Sequence, residues 1–344
     1  MLVEKKRFPC NCLTCKTKGD VLANYFSIVT ADRNLRWLAG LILAQVLLIF
    51  IVFWPSDTRT KGDLLFVDRT AVDITELKLV EVEGEHINLS KRGNDWAMSD
   101  ADDFFVSIDK VEPLITKLLE LKTDRLVATT DNSHIRLEVS SEKYKRKIDI
   151  GWSDGTTDTI LLGNSAGSGA THFRLISQDE VYLTASLTTW DANTTPSRYI
   201  DTQYFVVEKE DIVSIELKNE YGRFVLEKYD GKWLYDGLKE GEIFDQSAMD
   251  TFLVQASSIR MTSPLGKSVK ESYGFDDPQA VLNVVVNSEG ERQRHTIKVG
   301  TQLDDDYVVS ASTSEYYALV SSYNGSNLVE KIHSDFIETA SDEE

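Results

Sequence analysis

Cysteine is scarce in this chain. Only three of the 344 residues are cysteine, and all of them lie in the first 15 residues, at Cys10, Cys12 and Cys15. The rest of the chain therefore cannot form disulfide bonds, and a stable fold there must come from packed apolar cores. Residues 57–344 are numerous enough for two ordinary domains.

Positive charge is also scarce outside the N-terminus. The chain has 37 Lys and Arg against 56 Asp and Glu, a net charge of −19. Its first 36 residues carry seven basic and three acidic side chains, a net +4, so residues 37–344 carry −23. Nucleic-acid binding needs a basic surface that contacts phosphates, so this composition excludes nucleic acid as a partner of the larger region.

A catalytic signature is missing as well. Gly163–Gly169 is rich in glycine, but it lacks the Gly-Lys-Ser/Thr ending that brings a lysine to a phosphate, and it is predicted to join two strands. Ser165 and Ser168 lie close in sequence to His172, yet no nucleophile elbow accompanies them. We therefore expect a protein that is not an enzyme and that binds no cofactor.

The three cysteines form the sharpest local pattern, Cys10-x-Cys12-x-x-Cys15. Thiolates at this spacing can bind zinc or an iron–sulfur cluster, so these three residues are the candidate metal ligands. A closed tetrahedral zinc site needs a fourth ligand, which this segment does not supply. Reduced thiols without a metal are the alternative interpretation.

Two acidic clusters, Asp100–Asp103 and Asp304–Asp306, could bind calcium outside the cytoplasm. Neither has the glycine and the distal glutamate of an EF-hand loop. Acidic surface turns are the simpler interpretation of both clusters.

An apolar run from Trp37 to Trp54 predicts a transmembrane helix. Twenty uncharged residues separate Arg36 from Asp57, which is about 30 Å of helix and matches the hydrocarbon core of a bilayer. A buried core helix and a cleaved signal peptide are the alternatives, but the run has no polar stripe and no small-x-small cleavage site. Because basic residues precede the run, residues 1–36 should be cytoplasmic and the acidic region should lie across the membrane.

The region beyond this anchor contains a loose internal repeat, in which the pattern of residues 74–183 recurs at 212–320. Ile74–Leu79 and Ile212–Leu217 both alternate apolar and polar residues, as half-buried strands do. Each segment is followed by a turn with glycine and then by a tryptophan, Trp96 or Trp233. This pattern predicts a β-hairpin that closes on a buried indole.

A helix is predicted after the hairpin in both copies. Five apolar positions recur at helical spacing and at one offset, namely Val111, Leu114, Ile115, Leu118 and Leu121 in the first copy and Met249, Phe252, Leu253, Ala256 and Ile259 in the second. Asp109 and Asp245 are the predicted N-caps. Strands separated by tight turns complete each copy.

Together these patterns predict an α+β fold: a tandem repeat of two similar modules with mostly antiparallel sheets and one amphipathic helix each, behind a single N-terminal transmembrane helix. The predicted parts are a cytoplasmic segment (1–36), the transmembrane helix (37–54), a first module (64–188), a linker (189–203), a second module (204–333) and an acidic tail (334–344).

The chain resembles the bacterial DUF4340 family. The features that carry the resemblance are the single span that begins at Leu38, the opening strand Phe66–Asp68, the tryptophan hairpin, the amphipathic helix, Leu162-Gly163 before a glycine-rich loop, Val181–Leu183, and Tyr273–Pro278 before a strand. The first copy has no clear equivalent of Tyr273–Pro278, and Asp131–His134 stands near that place.

The resemblance implies a bacterial inner-membrane protein with a periplasmic domain and an auxiliary or scaffold role beside ABC-type transporter subunits. The family has no assigned activity, so it supplies no functional residues. The expected partners are therefore the lipid bilayer and transporter subunits, and the oligomeric state is open. The alternative is a tethered module that binds a small molecule, a glycan or a cell-wall fragment in the cleft between the two copies.

Overall fold

The fold is described from a computed structural model, which covers residues 33–52, 62–288 and 290–338. The chain divides into two compact units, residues 1–60 and residues 61–344. The candidate metal ligands Cys10, Cys12 and Cys15 lie outside the described residues, as do the last two residues of the predicted transmembrane segment and residues 339–344 of the predicted tail.

One helix, α1 (Arg33–Val52), is described in the first unit. Apolar side chains along this helix are exposed, among them Trp37, Leu41 and Leu43. Within the described residues, no helix combines the length and the apolar character that crossing a membrane requires.

Nine strands form the first sheet of the second unit, in the order β4-β3-β2-β1-β6-β7-β8-β9-β5. Their bounds are β1 (Ile74–Glu81), β2 (His86–Arg92), β3 (Asp95–Met98), β4 (Phe104–Val106), β5 (Leu126–Ala128), β6 (Arg146–Trp152), β7 (Thr157–Ser165), β8 (Thr171–Leu175) and β9 (Val181–Thr184). Helix α2 (Ile108–Leu119) lies between β4 and β5 in the chain, and the short α3 (Asp131–Leu137) lies between β5 and β6.

Eight strands form the second sheet, in the order β13-β12-β11-β16-β17-β18-β19-β15, and β10 pairs with β14 in a separate two-stranded sheet. Their bounds are β10 (Gln203–Val206), β11 (Ile212–Asn219), β12 (Gly222–Tyr229), β13 (Lys232–Tyr235), β14 (Ser258–Arg260), β15 (Ser263–Gly266), β16 (Ala280–Ser288), β17 (Glu291–Leu303), β18 (Asp306–Ala311) and β19 (Tyr317–Val320). Helix α4 (Gln246–Ser257) precedes β14, and α5 (Ser322–Val329) follows β19.

The two large sheets have the same strand order when strands are matched by their place along the chain. We call residues 62–188 the first half and residues 204–338 the second half. β1–β3 correspond to β11–β13, β6–β9 correspond to β16–β19, and β5 corresponds to β15, whereas β4 has no counterpart among the described strands of the second sheet. Both sheets also have a register shift near the start of their central strand, after Ile74 and after Ile212.

The main core lies against one face of each sheet, and a second small cluster, Val139, Leu161 and Val181, is buried on the other face of the first sheet. Alternate residues of the central strands are fully buried, namely Ile74, Leu77 and Leu79 in β1 and Ile212, Ile215 and Leu217 in β11. The apolar residues of α2 and α4 belong to the same cluster of buried side chains, as do Trp96 and Trp233. All strand pairs in the described region are antiparallel. The predicted class, mostly antiparallel sheets with few helices, is therefore confirmed. The predicted burial of both indoles is confirmed as well.

The helices differ from the prediction in number and at their ends: the predicted helix position Leu121 lies beyond the end of α2, and Ile259 lies in β14. Two helices are described in each half, whereas one was predicted. The short α3 and α5 were missed because they span only seven and eight residues and give no clear helical period in the sequence. The N-cap predicted at Asp109 is wrong, since α2 begins at Ile108 and Ser107 precedes it. The N-cap predicted at Asp245 is confirmed: its carboxylate accepts hydrogen bonds from the backbone N–H groups of Ser247 and Ala248, at 2.8 and 3.0 Å.

A glycine occupies corresponding places in β7 and β17, where another segment packs directly against the strand. A β-carbon at Gly163 would overlap the carbonyl oxygen of Leu137 at the end of α3. A β-carbon at Gly300 would overlap the carbonyl oxygen of Tyr273. The halves therefore use different segments, a short α-helix and the 3₁₀ turn at Glu271–Tyr273, to make the same close contact.

We expect Gly163→Ala and Gly300→Ala each to lower the free energy of unfolding by about 1–3 kcal/mol, because a methyl group there forces two backbone segments apart. Chemical denaturation of the full chain in detergent measures the change. Gly151→Ala in β6 is the matched control, since its β-carbon would lie 3.0 Å from the β-carbon of the exposed Glu76. Equal losses for all three variants would contradict this explanation.

Candidate interaction surface

The segment between the halves, residues 189–203, is packed into the fold. Ala192, Thr194, Tyr199 and Ile200 are buried, although the sequence around them is polar. The Tyr199 hydroxyl donates to the Asn193 carbonyl at 2.7 Å, and burial raises the pKa of this phenol. In the sequence, the adjacent large apolar residues Tyr199 and Ile200 indicate this burial, because a solvent-exposed linker does not need them.

Charged side chains of the first half hold this segment in place. Lys117 of α2 pairs with Asp191 at 2.6 Å. Thr194 donates its hydroxyl to Glu81 at 3.2 Å and accepts from the buried Arg146 at 3.2 Å. The segment is thus fixed to both α2 and the first sheet.

A second contact joins the halves directly. Asp102, at the turn after β3, accepts a hydrogen bond from the backbone N–H of Lys267 at 2.6 Å. Phe104 packs edge-on against Tyr316 with ring centroids 4.8 Å apart. Asp102 and Asp103 both have left-handed backbone angles, with φ of 52° and 58°, which is uncommon for residues other than glycine. The two contacts together close the junction between the halves.

The two halves share one apolar core. One cluster of buried side chains runs from Phe66 to Phe336 and includes residues of both halves. Four cavities of the described region are each lined by residues of a single half, one of them together with residues of the connecting segment.

The largest of these cavities is a groove on the second sheet, on the face opposite the buried one, which we call the outer face. Its volume is about 1050 Å³. We call it the outer groove, and its lining residues are Val213, Ser214, Val225, Glu227, Lys228, Tyr229, Leu234, Tyr235, Asp236, Val285, Arg292 and Arg294. Leu234 is 54% exposed and Tyr229 is 75% exposed, so the groove presents apolar surface to solvent beside two arginines.

One row of residues that lines this groove differs from the corresponding row of the first sheet. Strand pairing places five residues side by side in the second sheet: Leu234, Glu227, Ser214, Val285 and Arg294. The corresponding row of the first sheet is Ala97, Ser90, Glu76, Gly151 and Thr157. The second row carries two large apolar side chains and an arginine where the first row has small residues.

The turn after the hairpin also differs between the halves. In the first half, the turn Ser99–Asp103 crosses the outer face, because Ser99 bonds Ser90 at 2.5 Å and the Asp100 carboxylate accepts from the Asn88 amide at 2.7 Å. In the second half, Gly237 lies so close to the ring of Tyr235 that a β-carbon would overlap it. That ring lies on the buried side of the sheet, so the turn leaves the outer face uncovered.

Three polar side chains form a hydrogen-bonded chain beside this turn. His333 lies 2.8 Å from the Tyr235 hydroxyl through Nδ1 and 2.8 Å from the Glu242 carboxylate through Nε2. An ionised carboxylate can only accept, so Nε2–H of His333 donates to Glu242. Burial raises the pKa of Tyr235, which keeps the phenol protonated. The arrangement therefore pins the segment around His333 to β13 and supplies no activated nucleophile.

The Glu242 carboxylate has a pKa below its ordinary value of 4.5, chiefly because it accepts a hydrogen bond from the backbone N–H of Lys239 and also because His333 is near. A group whose pKa is lowered by folding stabilises the fold above its unfolded pKa and loses that contribution as the pH falls through the folded value. Glu242→Gln should therefore be less stable than the natural chain at neutral pH.

This difference should shrink as the pH falls below about 4.5. Melting temperatures of the two chains, measured side by side at a series of pH values, test the sign. A gap that widens toward acid would contradict the assignment.

The other residues singled out in the sequence have structural positions. Gly163–Gly169 joins β7 to β8 as a hairpin loop, and the buried His172 contacts the Asn164 carbonyl at 2.9 Å. Asp103 pairs with Arg92 at 2.9 Å, and Asp306 accepts from the Thr262 hydroxyl at 2.5 Å. In the part of the chain that the structure describes, no three His, Cys, Asp or Glu side chains are grouped as metal ligands.

Comparison with known proteins gives one match. A family model described as "Domain of unknown function (DUF4340)" matches residues 96–271, slightly more than half of the chain. The matched region begins in β3 and ends in the 3₁₀ turn before β16, so it crosses from the first half into the second. No curated protein and no solved structure matches the chain.

Proposed function

The chain belongs to the DUF4340 family, and from this premise we propose that it is a non-enzymatic, single-pass inner-membrane protein whose periplasmic unit is an auxiliary or scaffold component of an ABC-type transport system. The observation that carries the proposal is the shared core. Because one cluster of buried side chains includes residues of both halves, the two sheets keep a fixed spacing and orientation. A body that holds two sheets at a fixed spacing suits the docking of other proteins.

We propose further that the two halves are copies of one module. The common strand order, the register shift at the start of each central strand and the glycine at corresponding places in β7 and β17 support this origin. Duplication would give the scaffold two related faces, which could then diverge to contact different partners.

The membrane anchor in this proposal is the apolar run from Trp37 to Trp54. It is supported by the twenty uncharged residues after Arg36 and by the basic residues that precede them. The exposure of apolar side chains such as Trp37, Leu41 and Leu43 agrees with a helix that needs an apolar surrounding. Residues 1–36 would then lie in the cytoplasm and residues 61–344 in the periplasm.

Alkaline phosphatase fused after Glu344 tests this topology. The fusion should be enzymatically active in intact cells, because the enzyme matures only outside the cytoplasm. The same enzyme fused after Arg36, before the apolar run, is the matched control and should be inactive. A fusion after Glu344 that is stably expressed but inactive would overturn the proposed orientation.

Affinity purification of the full chain from gently solubilised membranes tests the scaffold role. Subunits of an ABC-type transporter should be recovered with it in stable proportion. A chain whose residues 37–54 are replaced by an unrelated membrane span is the control, and it should recover the same subunits if residues 61–344 make the contact. Repeated recovery of the chain without any transporter subunit would contradict the proposal.

A binding module for a small molecule, a glycan or a cell-wall fragment is the second candidate. The observation that favours it is the volume of the outer groove, about 1050 Å³, which is large enough for such a ligand. A ligand of the folded state raises the melting temperature, so a clear rise with an envelope metabolite would favour this function over the scaffold.

A further inference from the structure

The outer groove lies next to an exposed loop. Residue Asp236 lines the groove and also begins the segment 236–241, which we call the 236–241 loop. All six residues of the loop are exposed, and its only large apolar residue, Leu238, is 38% exposed. A groove lined by apolar and charged side chains therefore lies next to an exposed apolar side chain on one patch of the surface.

The first half has no such pair of exposed features. There the turn Ser99–Asp103, which occupies the same place after the hairpin, covers the outer face of its own sheet. Ala97 and Ser90 beneath it are buried, at 5% and 7% exposure. In the first half, the turn therefore buries this part of the outer face within the same molecule.

In the second half, the first residue of the loop, Asp236, lines the groove, and the five residues that follow it do not. Gly237 packs on the Tyr235 ring, and Glu242 is fixed by the Lys239 N–H and by His333. The loop and the groove have therefore lost the intramolecular contact that their counterparts make. The same contact between two molecules would restore the burial of both, which is the relation found in domain-swapped dimers.

The chemistry of the loop fits the groove. Leu238 can enter the apolar floor formed by Val213, Val225 and Val285. Glu240 corresponds in position to Asp102 of the first half: Glu240 lies five residues before Asp245, which precedes α4, and Asp102 lies five residues before Ser107, which precedes α2. Its carboxylate is opposite in charge to Arg292 and Arg294 on the groove's β17 side.

We propose that the outer groove binds the 236–241 loop of a second copy of this chain. Because the loop and the groove are adjacent, two copies related by a two-fold axis can each place their loop in the groove of the other copy, as an isologous interface requires. Leu238 fills the groove of the partner, and Glu240 pairs with Arg292 and Arg294. Anchoring both copies in one membrane would raise their effective concentration, but the contact itself does not depend on the proposed transporter role.

Disulfide trapping in the full chain tests the contact. In a background with Cys10, Cys12 and Cys15 changed to serine, one chain carries Leu238→Cys and a second, differently tagged chain carries Val285→Cys. Co-expression and mild oxidation should give a disulfide-linked heterodimer in membranes. Val254→Cys in α4, which is also 54% exposed, replaces Leu238→Cys as the matched control and should give only background.

Charge reversal gives a second, independent readout. Glu240→Arg in the chain with Leu238→Cys and Arg294→Glu in the chain with Val285→Cys should each reduce the trapped dimer by about tenfold, and the two changes together should restore it. Leu238, Glu240, Val254 and Arg294 are exposed, so the melting temperatures of variants at these four positions should stay close to that of the natural chain.

Two results would overturn the proposal. Trapping no better than with Val254→Cys would exclude the contact. An intramolecular disulfide in a chain with both Leu238→Cys and Val285→Cys would mean that the loop covers its own groove. Neither result would affect recovery of transporter subunits, so the scaffold role is judged separately.

Discussion

The fold of residues 61–344 depends on one continuous apolar core. No cysteine follows residue 15, so covalent cross-links contribute nothing to its stability. The buried cluster instead passes from the first sheet through Tyr199 and Ile200 of the connecting segment to the second sheet. Since the connecting segment is itself part of the core, the halves cannot separate without exposing apolar surface. This dependence turns two similar sheets into a single rigid body.

The halves keep the same architecture while their outer faces have diverged. The buried faces must match α2 or α4, so their apolar positions recur along the chain. The outer faces have no such requirement. Leu234 in place of Ala97 and Val285 in place of Gly151 add apolar side chains to the outer face of the second sheet, where the groove is open, whereas the turn Ser99–Asp103 covers the corresponding face of the first sheet. The difference between the halves is therefore concentrated where packing constrains the sequence least.

Most of the regular structure could be predicted from the sequence, because it rests on local periodicity. The alternation in Ile74–Leu79 and the helical spacing of Val111, Leu114 and Leu118 correspond to β1 and α2. Strands of three residues, such as β4 and β5, are too short to show a period, and their pairing depends on distant partners. The same limit applies to α3.

The candidate surface could not be predicted, because it is assembled across the sheet. Leu234 and Arg294 share a row only through the pairing of five strands. Tyr235, Glu242 and His333 meet although His333 lies 98 residues beyond Tyr235 in sequence. The burial of residues 189–203 was missed for a related reason: polar residues such as Thr194 are buried there because Glu81 and Arg146 accept and donate their hydrogen bonds.

The position of Phe336 has a consequence for biosynthesis. This side chain is fully buried, contacts Phe224 and Phe252, and is followed by Ile337, which forms a β-bridge with Phe244. The part of the core beneath the second sheet therefore lacks this aromatic ring until Phe336 and Ile337 have been synthesised. The first sheet uses strands from residues 74–184 only and can form earlier. Vectorial synthesis would thus complete the molecule in two steps, and the unfinished second half would be the stage most accessible to chaperones and proteases.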